Sequence, residues 1–200
     1  MQYNLIASSE ESTVLAEYVR EERAEYQTYQ SEAALEQAFI QRLQEQGYEY
    51  LTNHSKADLV VNLRRQLSLL NGYEFSDAEW QEFFQNTIAS ANEGIVEKTH
   101  RIQQDYIQIL RRDDGSTKNI MLVDKVHIHN NRLQVINQYV EDGGVHDTRY
   151  DVTVLVNGLP LVHIELKRRG VEIRQAFNQS KRYQRDSFWA GSGLYEYVQI

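Results

Sequence analysis

The sequence predicts an α/β (α+β) domain, with a mixed central sheet flanked by helices and an extra helical region ahead of it. Three observations carry this. Between Ser31 and Ile88, apolar residues recur at helical spacing behind N-cap residues. From Met121 to Lys167, short β-branched runs alternate with turn dipeptides. After Gly170 the helical spacing returns. Two hundred residues, 41% apolar and with one Pro, suit one domain with a substantial core and an appended lobe.

Residues 1–30 are polar and Tyr-rich, and no element is predicted there. Ser31 suits an N-cap, and Ala34, Leu35, Ala38, Phe39 and Leu43 form the apolar stripe of a first helix that Gly47 ends. A second helix spans 57–70. A third follows the capping box Ser76-x-x-Glu79, and its Trp80, Phe83, Phe84 and Ile88 read as core. Met121–Ile128 and Leu133–Val140 are predicted to form a hairpin turning at Asn130-Asn131. Residues 141–144 are a loop, and Leu194–Ile200 is a strand-like run.

A second hairpin carries the chemistry. Asp151 opens the run Val152–Val156, Asn157-Gly158 marks a turn, and Leu161–Ile164 leads into Glu165-Leu166-Lys167. Two carboxylates and an amine suit metal-assisted phosphodiester cleavage: the acids hold a hard divalent cation through oxygen, and the lysine orients water or neutralises charge on phosphate. Side chains alternate along a strand. Val152, Val154, Val156, Val162, Ile164 and Leu166 therefore form the core face, leaving Asp151, Thr153, His163, Glu165 and Lys167 on the other. Pairing odd positions with odd ones puts Asp151 opposite Glu165 and Thr153 opposite His163. A two-residue turn mismatches that register, so a three-residue turn with Gly at a positive φ is expected.

The following helix is predicted from Val171 to Phe188, with Ile173, Ala176, Phe177 and Ser180 buried. Gln179 and Tyr183, spaced i,i+4, share a face. Residues 161–185 hold Lys167, Arg168, Arg169, Arg174, Lys181, Arg182 and Arg185 against Glu165 and Glu172, a local net of +5 that leaves −13 for the rest of a chain whose total is −8. A basic island in an acidic protein points to a polyanion, with Arg168 and Arg182 as candidate contacts; a solvated helix face is the plainer alternative.

Asp151, Glu165-x-Lys167 and Gln179-x-x-x-Tyr183 together resemble the PD-(D/E)xK nuclease superfamily with its QxxxY extension. The run from Arg149 to Arg168, with Ala176-Phe177-Asn178-Gln179 and Arg182-Tyr183, is more specifically similar to the amino-terminal nuclease domain of the restriction (motor) subunit of type I restriction–modification enzymes. Likeness extends to Tyr29–Glu32, Gly47-Tyr48 and Asn71-Gly72, while Tyr150 stands where the superfamily loosely keeps Pro. The resemblance implies a restriction-endonuclease-like core. It makes Asp151 and Glu165 ligands of Mg²⁺, Lys167 the catalytic lysine, and Gln179 and Tyr183 supports of the site or DNA contacts. It further implies double-stranded DNA cut without sequence reading, methylation and specificity subunits as partners, and a downstream helicase-like ATP motor. On this reading residues 1–30 precede a nuclease domain of 31–200, with a helical part at 31–110 and a catalytic core at 120–200. No Gly-x-x-x-x-Gly-Lys-Ser/Thr phosphate loop occurs, so ATP would act only through a motor outside these residues, and the chain reads as a piece of a longer protein. A non-catalytic DNA-binding or docking module, and a stand-alone repair or junction nuclease, are the competing classes.

Other features narrow the field. Without Cys there are no disulfides or thiolate metal sites, and with no signal peptide or apolar run of membrane length a cytoplasmic protein is expected. Glu32, in the first turn of the first helix, either complements the helix dipole or adds a third acid to the site. His163 lies on the candidate catalytic face, as a hydrogen-bonding neighbour or a participant. His127 and His129 have i,i+2 spacing on a predicted strand, but with no third imidazole or thiol nearby zinc is not expected.

Overall fold

A computed structural model describes residues 31–52, 55–141, 148–167, 174, 178 and 193–199, together with the backbone of 2–8 and 14–19. Gln2–Ser8 (β1) and Val14–Val19 (β2) pair as an antiparallel hairpin, in a region where the sequence predicts no element.

Ser31 caps α1 (Glu32–Glu45) by accepting the Ala34 N–H at 3.2 Å. Leu35, Ala38, Phe39 and Leu43 are half-buried, as the stripe requires, but Ala34 is exposed. The most buried positions are Glu36 and Ile40, one turn apart. A two-residue strand, β3 (Glu49–Tyr50), follows. The second and third helices, α2 (Lys56–Asn71) and α3 (Asp77–Phe83), carry capping boxes from Ser55/Asp58 and Ser76/Glu79. Trp80, Phe83 and Ile88 are buried as expected. A fourth helix, α4 (Ile95–Gln103), leads into a hairpin of β4 (Ile107–Arg111) and β5 (Thr117–Met121). The predicted pairing of Met121–Ile128 with Leu133–Val140 is therefore corrected. The strand ends at Met121, and the loop after it is gathered by the Asp124 carboxylate, which accepts from the Val126 and His127 N–H groups and Asn130 Nδ2. His127 and His129 sit exposed in this loop and its 3₁₀ turn rather than on a strand.

The central sheet contains β6 (Leu133–Glu141), β7 (Thr148–Val156) and β8 (Leu159–Ile164), in the order β3-β6-β7-β8. β3 runs parallel to β6 and the other pairs are antiparallel, so the sheet is mixed, as predicted. Both faces are covered. On one, Ile40, Phe39 and Leu43 of α1 pack on Val135, Val152, Ile164 and Leu166. On the other, Leu59, Leu63 and Leu67 of α2 and the aromatics of α3 meet Ile136, Leu155 and Leu159 in the larger core. That core is closed by a 3₁₀ turn, Leu194–Tyr197, where a strand-like run is predicted. Glu196 in this turn pairs with the fully buried Lys98 of α4, and the Tyr197 hydroxyl donates to the Ile88 carbonyl at 2.9 Å.

Candidate active site

The β7–β8 turn differs from the prediction, yet beyond it the ladder returns to the predicted register as far as Val152↔Ile164. Asn157 (φ +51°) and Gly158 (φ +83°) make a two-residue turn pairing Val156 with Leu159. A bulge then shifts the ladder between Leu155↔Pro160 and Val154↔Val162, and beyond it Thr153 faces His163 and Val152 faces Ile164. The bulge supplies the extra residue that a longer turn was expected to supply. Its residue, Leu161, has its carbonyl bonded by the Gln199 N–H at 2.9 Å. Pro160, which lacks an N–H, lies in β8, a strand with one sheet neighbour among the described strands.

The two-residue turn is enforced by burial. Asn157 is 1% exposed; its Nδ2 donates to the Leu122 carbonyl and Asn131 Oδ1 at 3.0 and 2.8 Å, and its Oδ1 accepts the Arg132 N–H at 2.8 Å. A Cβ on Gly158 would lie 2.7 Å from Leu63 Cα, so the turn is pressed against α2.

At the other end of the hairpin, β8 stops at Ile164, one pair short of Asp151–Glu165. Asp151 Oδ2 accepts the Leu166 N–H at 3.0 Å. Burial, joined by the nearby Glu165 and Glu36 charges, pushes the Asp151 carboxyl above its ordinary range against the opposing pull of Leu166 and Lys167. Burial also pushes Glu165 up, but His163 and Lys167 outweigh it and leave that carboxyl lowered. Lys167 Nζ donates to Glu165 Oε1 at 2.5 Å, and His163 Nε2 lies 3.7 Å from Glu165 Oε2. For Lys167 desolvation opposes the charge, but Glu165, Asp151 and Glu32 together raise its pKa, so it stays an ammonium.

The predicted polar face is thus covered rather than open to solvent. The side chains of His163 and Glu165 are 4% and 3% exposed. Tyr150 meets His163 edge-on at 5.1 Å and stacks on Tyr195 at 4.6 Å, and Thr153 Oγ1 lies 3.1 Å from the Tyr195 hydroxyl. Glu32 is exposed on the first turn of α1, within electrostatic reach of Lys167. Arg168, Gln179, Tyr183 and Arg182 lie outside the described residues, as does most of the predicted helix 171–188; Arg174 and Asn178 are helical and exposed. Sequence reasoning missed Glu36. Its signal is a Glu four residues before Ile40 and seven before Leu43, on the buried face of α1.

The donor set suits a small hard cation. Glu165 Oε2 is buried with no hydrogen-bond donor among the described residues. No group of three acidic or imidazole side chains that could by itself hold an ion occurs among the described residues. Mg²⁺ needs no such cage, being bound by one or two carboxylates plus water and substrate phosphate.

A mixed sheet covered by helices on both faces, with an acid–acid–lysine set where its hairpin opens, defines a protein with a restriction-endonuclease-like core. Residues 29–200 match the family described as Type I restriction enzyme R protein N terminus, and the chain belongs to that family. It is 49% identical over 176 residues to the type I restriction enzyme EcoprrI endonuclease subunit of Escherichia coli, covering 87% of this chain and 56% of that one. It is 39% identical over 177 residues to the SsaAORF53P endonuclease subunit of Staphylococcus saprophyticus, covering 86% and 18%. With the HindI endonuclease subunit of Haemophilus influenzae it shares 30% over 175 residues, covering 76% and 17%. The chain thus spans about half the length of the first relative and under a fifth of the other two.

Proposed function

We propose that this chain is the nuclease domain of a type I restriction enzyme and hydrolyses phosphodiester bonds of double-stranded DNA with Mg²⁺, without reading sequence itself. The observation that carries the reading is the Asp151–Glu165–Lys167 set at the open end of the hairpin, with Glu165 Oε2 buried and without a donor among the described residues. Asp151 and Glu165 would hold the cation, which when bound stabilises charge on the phosphate and makes water a better nucleophile. The Glu165, Asp151 and Glu32 carboxylates favour the charged form of Lys167 against desolvation, which suits it to act as a cation. Its ammonium neutralises charge developing on phosphate oxygens and orients the attacking water. The basic island around Arg168 and Arg182 would carry the DNA backbone, with Gln179 and Tyr183 tying the helix to the site. Names of the relatives support an endonuclease role within a restriction enzyme. Methylation and specificity subunits as partners, and ATP used by a separate motor, complete the reading. Among the described residues no helix is long and apolar enough to cross a membrane, and a cytoplasmic location is part of the proposal.

The test is cleavage of unmodified DNA by the intact enzyme carrying Lys167→Ala. Cleavage is expected to vanish while ATP hydrolysis persists; full cleavage by the variant would refute the assignment.

A further inference from the structure

We infer that Glu36 is a positioning residue for Asp151, acting through a kink that it holds in β6. The inference rests on the reading of Asp151 as a site carboxylate. Glu36 is 7% exposed on the face of α1 that meets the sheet. Its Oε1 accepts Asn137 Nδ2 at 2.6 Å, and its Oε2 accepts Gln138 Nε2. The Asn137 amide has no freedom to turn away, because its Oδ1 accepts the Tyr50 hydroxyl at 2.8 Å. Gln138 has φ +53°, a left-handed conformation unusual for a residue with a side chain.

The kink has a visible effect on the strands. In a regular strand neighbours point to opposite faces. Here Asn137 and Gln138 both reach Glu36 on α1, and Tyr139 turns to the far core, where it stacks on Tyr195 at 4.7 Å. β7 mirrors this, since Val152 packs with α1 whereas Tyr150, two residues before it, packs with Tyr195. Alternation therefore breaks at Asp151. The ladder runs through Asn137↔Val152 and resumes at Tyr139↔Tyr150, and the Gln138–Asp151 pair between them is absent. Asp151 is thereby held out of the ladder, with its carboxylate on the Leu166 N–H and beside Glu165. Glu36 spends both oxygens on amide donors, so it serves the site through β6.

Glu36→Gln keeps the shape but turns one acceptor into a donor that opposes a clamping amide. In the intact enzyme it is expected to lower kcat for DNA cleavage about 10–100-fold, and calorimetry on the full-length protein should show Mg²⁺ affinity falling by a similar factor. Gln138→Ala removes the other half of the clamp and should repeat both losses; it is the deciding variant if Glu36→Gln does not fold. Glycine adopts left-handed backbone freely, so Gln138→Gly added to Glu36→Gln should restore most of both readouts. A double variant as weak as Glu36→Gln alone would overturn the inference and leave Glu36 as a direct ligand. Unchanged Mg²⁺ affinity and cleavage in Glu36→Gln would overturn it while leaving the parent reading intact. Wild-type protein that bound no Mg²⁺ would remove both.

Discussion

The β7–β8 hairpin has two ends built to opposite specifications. At the turn, every polar atom of the buried Asn157 side chain has a partner and Gly158 touches α2 with no space to spare. At the site, the ladder stops early, Glu165 Oε2 lacks a donor among the described residues, and two carboxylates shift in opposite directions. The turn end fixes where the strands lie. The open end keeps oxygen atoms uncommitted, which costs stability in the resting protein and is what a cation could use. Stability and function are thus separated along one hairpin less than ten residues per strand.

Substitutions at the two ends should therefore fail differently. The largest effect belongs to the open end. Lys167→Ala, assayed by DNA cleavage in the intact enzyme, should cost about 10²–10³-fold or more, well beyond what the accompanying loss of Tm from leaving the buried Glu165 without its ammonium explains. Gly158→Ala should do the reverse, because the new Cβ needs a left-handed backbone and meets α2 backbone. A loss of about 3 kcal/mol in denaturant unfolding is expected, from strain of about 1–2 and overpacking of about 1–3. Asn157→Ala should cost about 1–3 kcal/mol for the buried groups left without partners. A turn variant that abolished cleavage at full stability would break the separation.

The smallest effect sharpens it. Asp151 has a raised pKa in the fold, so its favourable contribution is fully present below its ordinary value of 3.8 and is lost as pH rises through the folded value. At neutral pH its charge is a cost, and Asp151→Asn should raise Tm slightly while removing cleavage. That gain should shrink on acidification through the folded pKa. Glu165 has the opposite sign: its contribution is present above its ordinary value of 4.5 and is lost as pH falls through the folded value, so Glu165→Gln should lower Tm at neutral pH. Equal Tm shifts for the two variants across the pH range would contradict the asymmetry.

Much of this was legible from local pattern. Capping boxes and aromatic spacing place α2 and α3, and alternation places Thr153 opposite His163, though the Asp151–Glu165 pair it predicts next does not form. What alternation cannot show is where it breaks. The bulge at Leu161 and the kink at Gln138 are set by contacts with Gln199 and Glu36, which lie 38 and 102 residues away in sequence. The buried turn escaped for a similar reason. Asn-Gly reads as a surface turn until Leu122, Asn131 and Leu63 are known to surround it. Met121–Ile128 has strand composition, but Asp124 offers its backbone N–H groups a carboxylate instead of a neighbouring strand.

Pro160 and the bulge beside it carry one more consequence. Among the described strands β8 forms one border of the central sheet, and an unguarded border invites pairing with another chain. A missing N–H at Pro160 and a bulged Leu161 whose carbonyl is already taken make that border a poor template. The opposite border, β3, is two residues long. A sheet blunted at both borders can meet other copies at high local concentration without zipping into an aggregate.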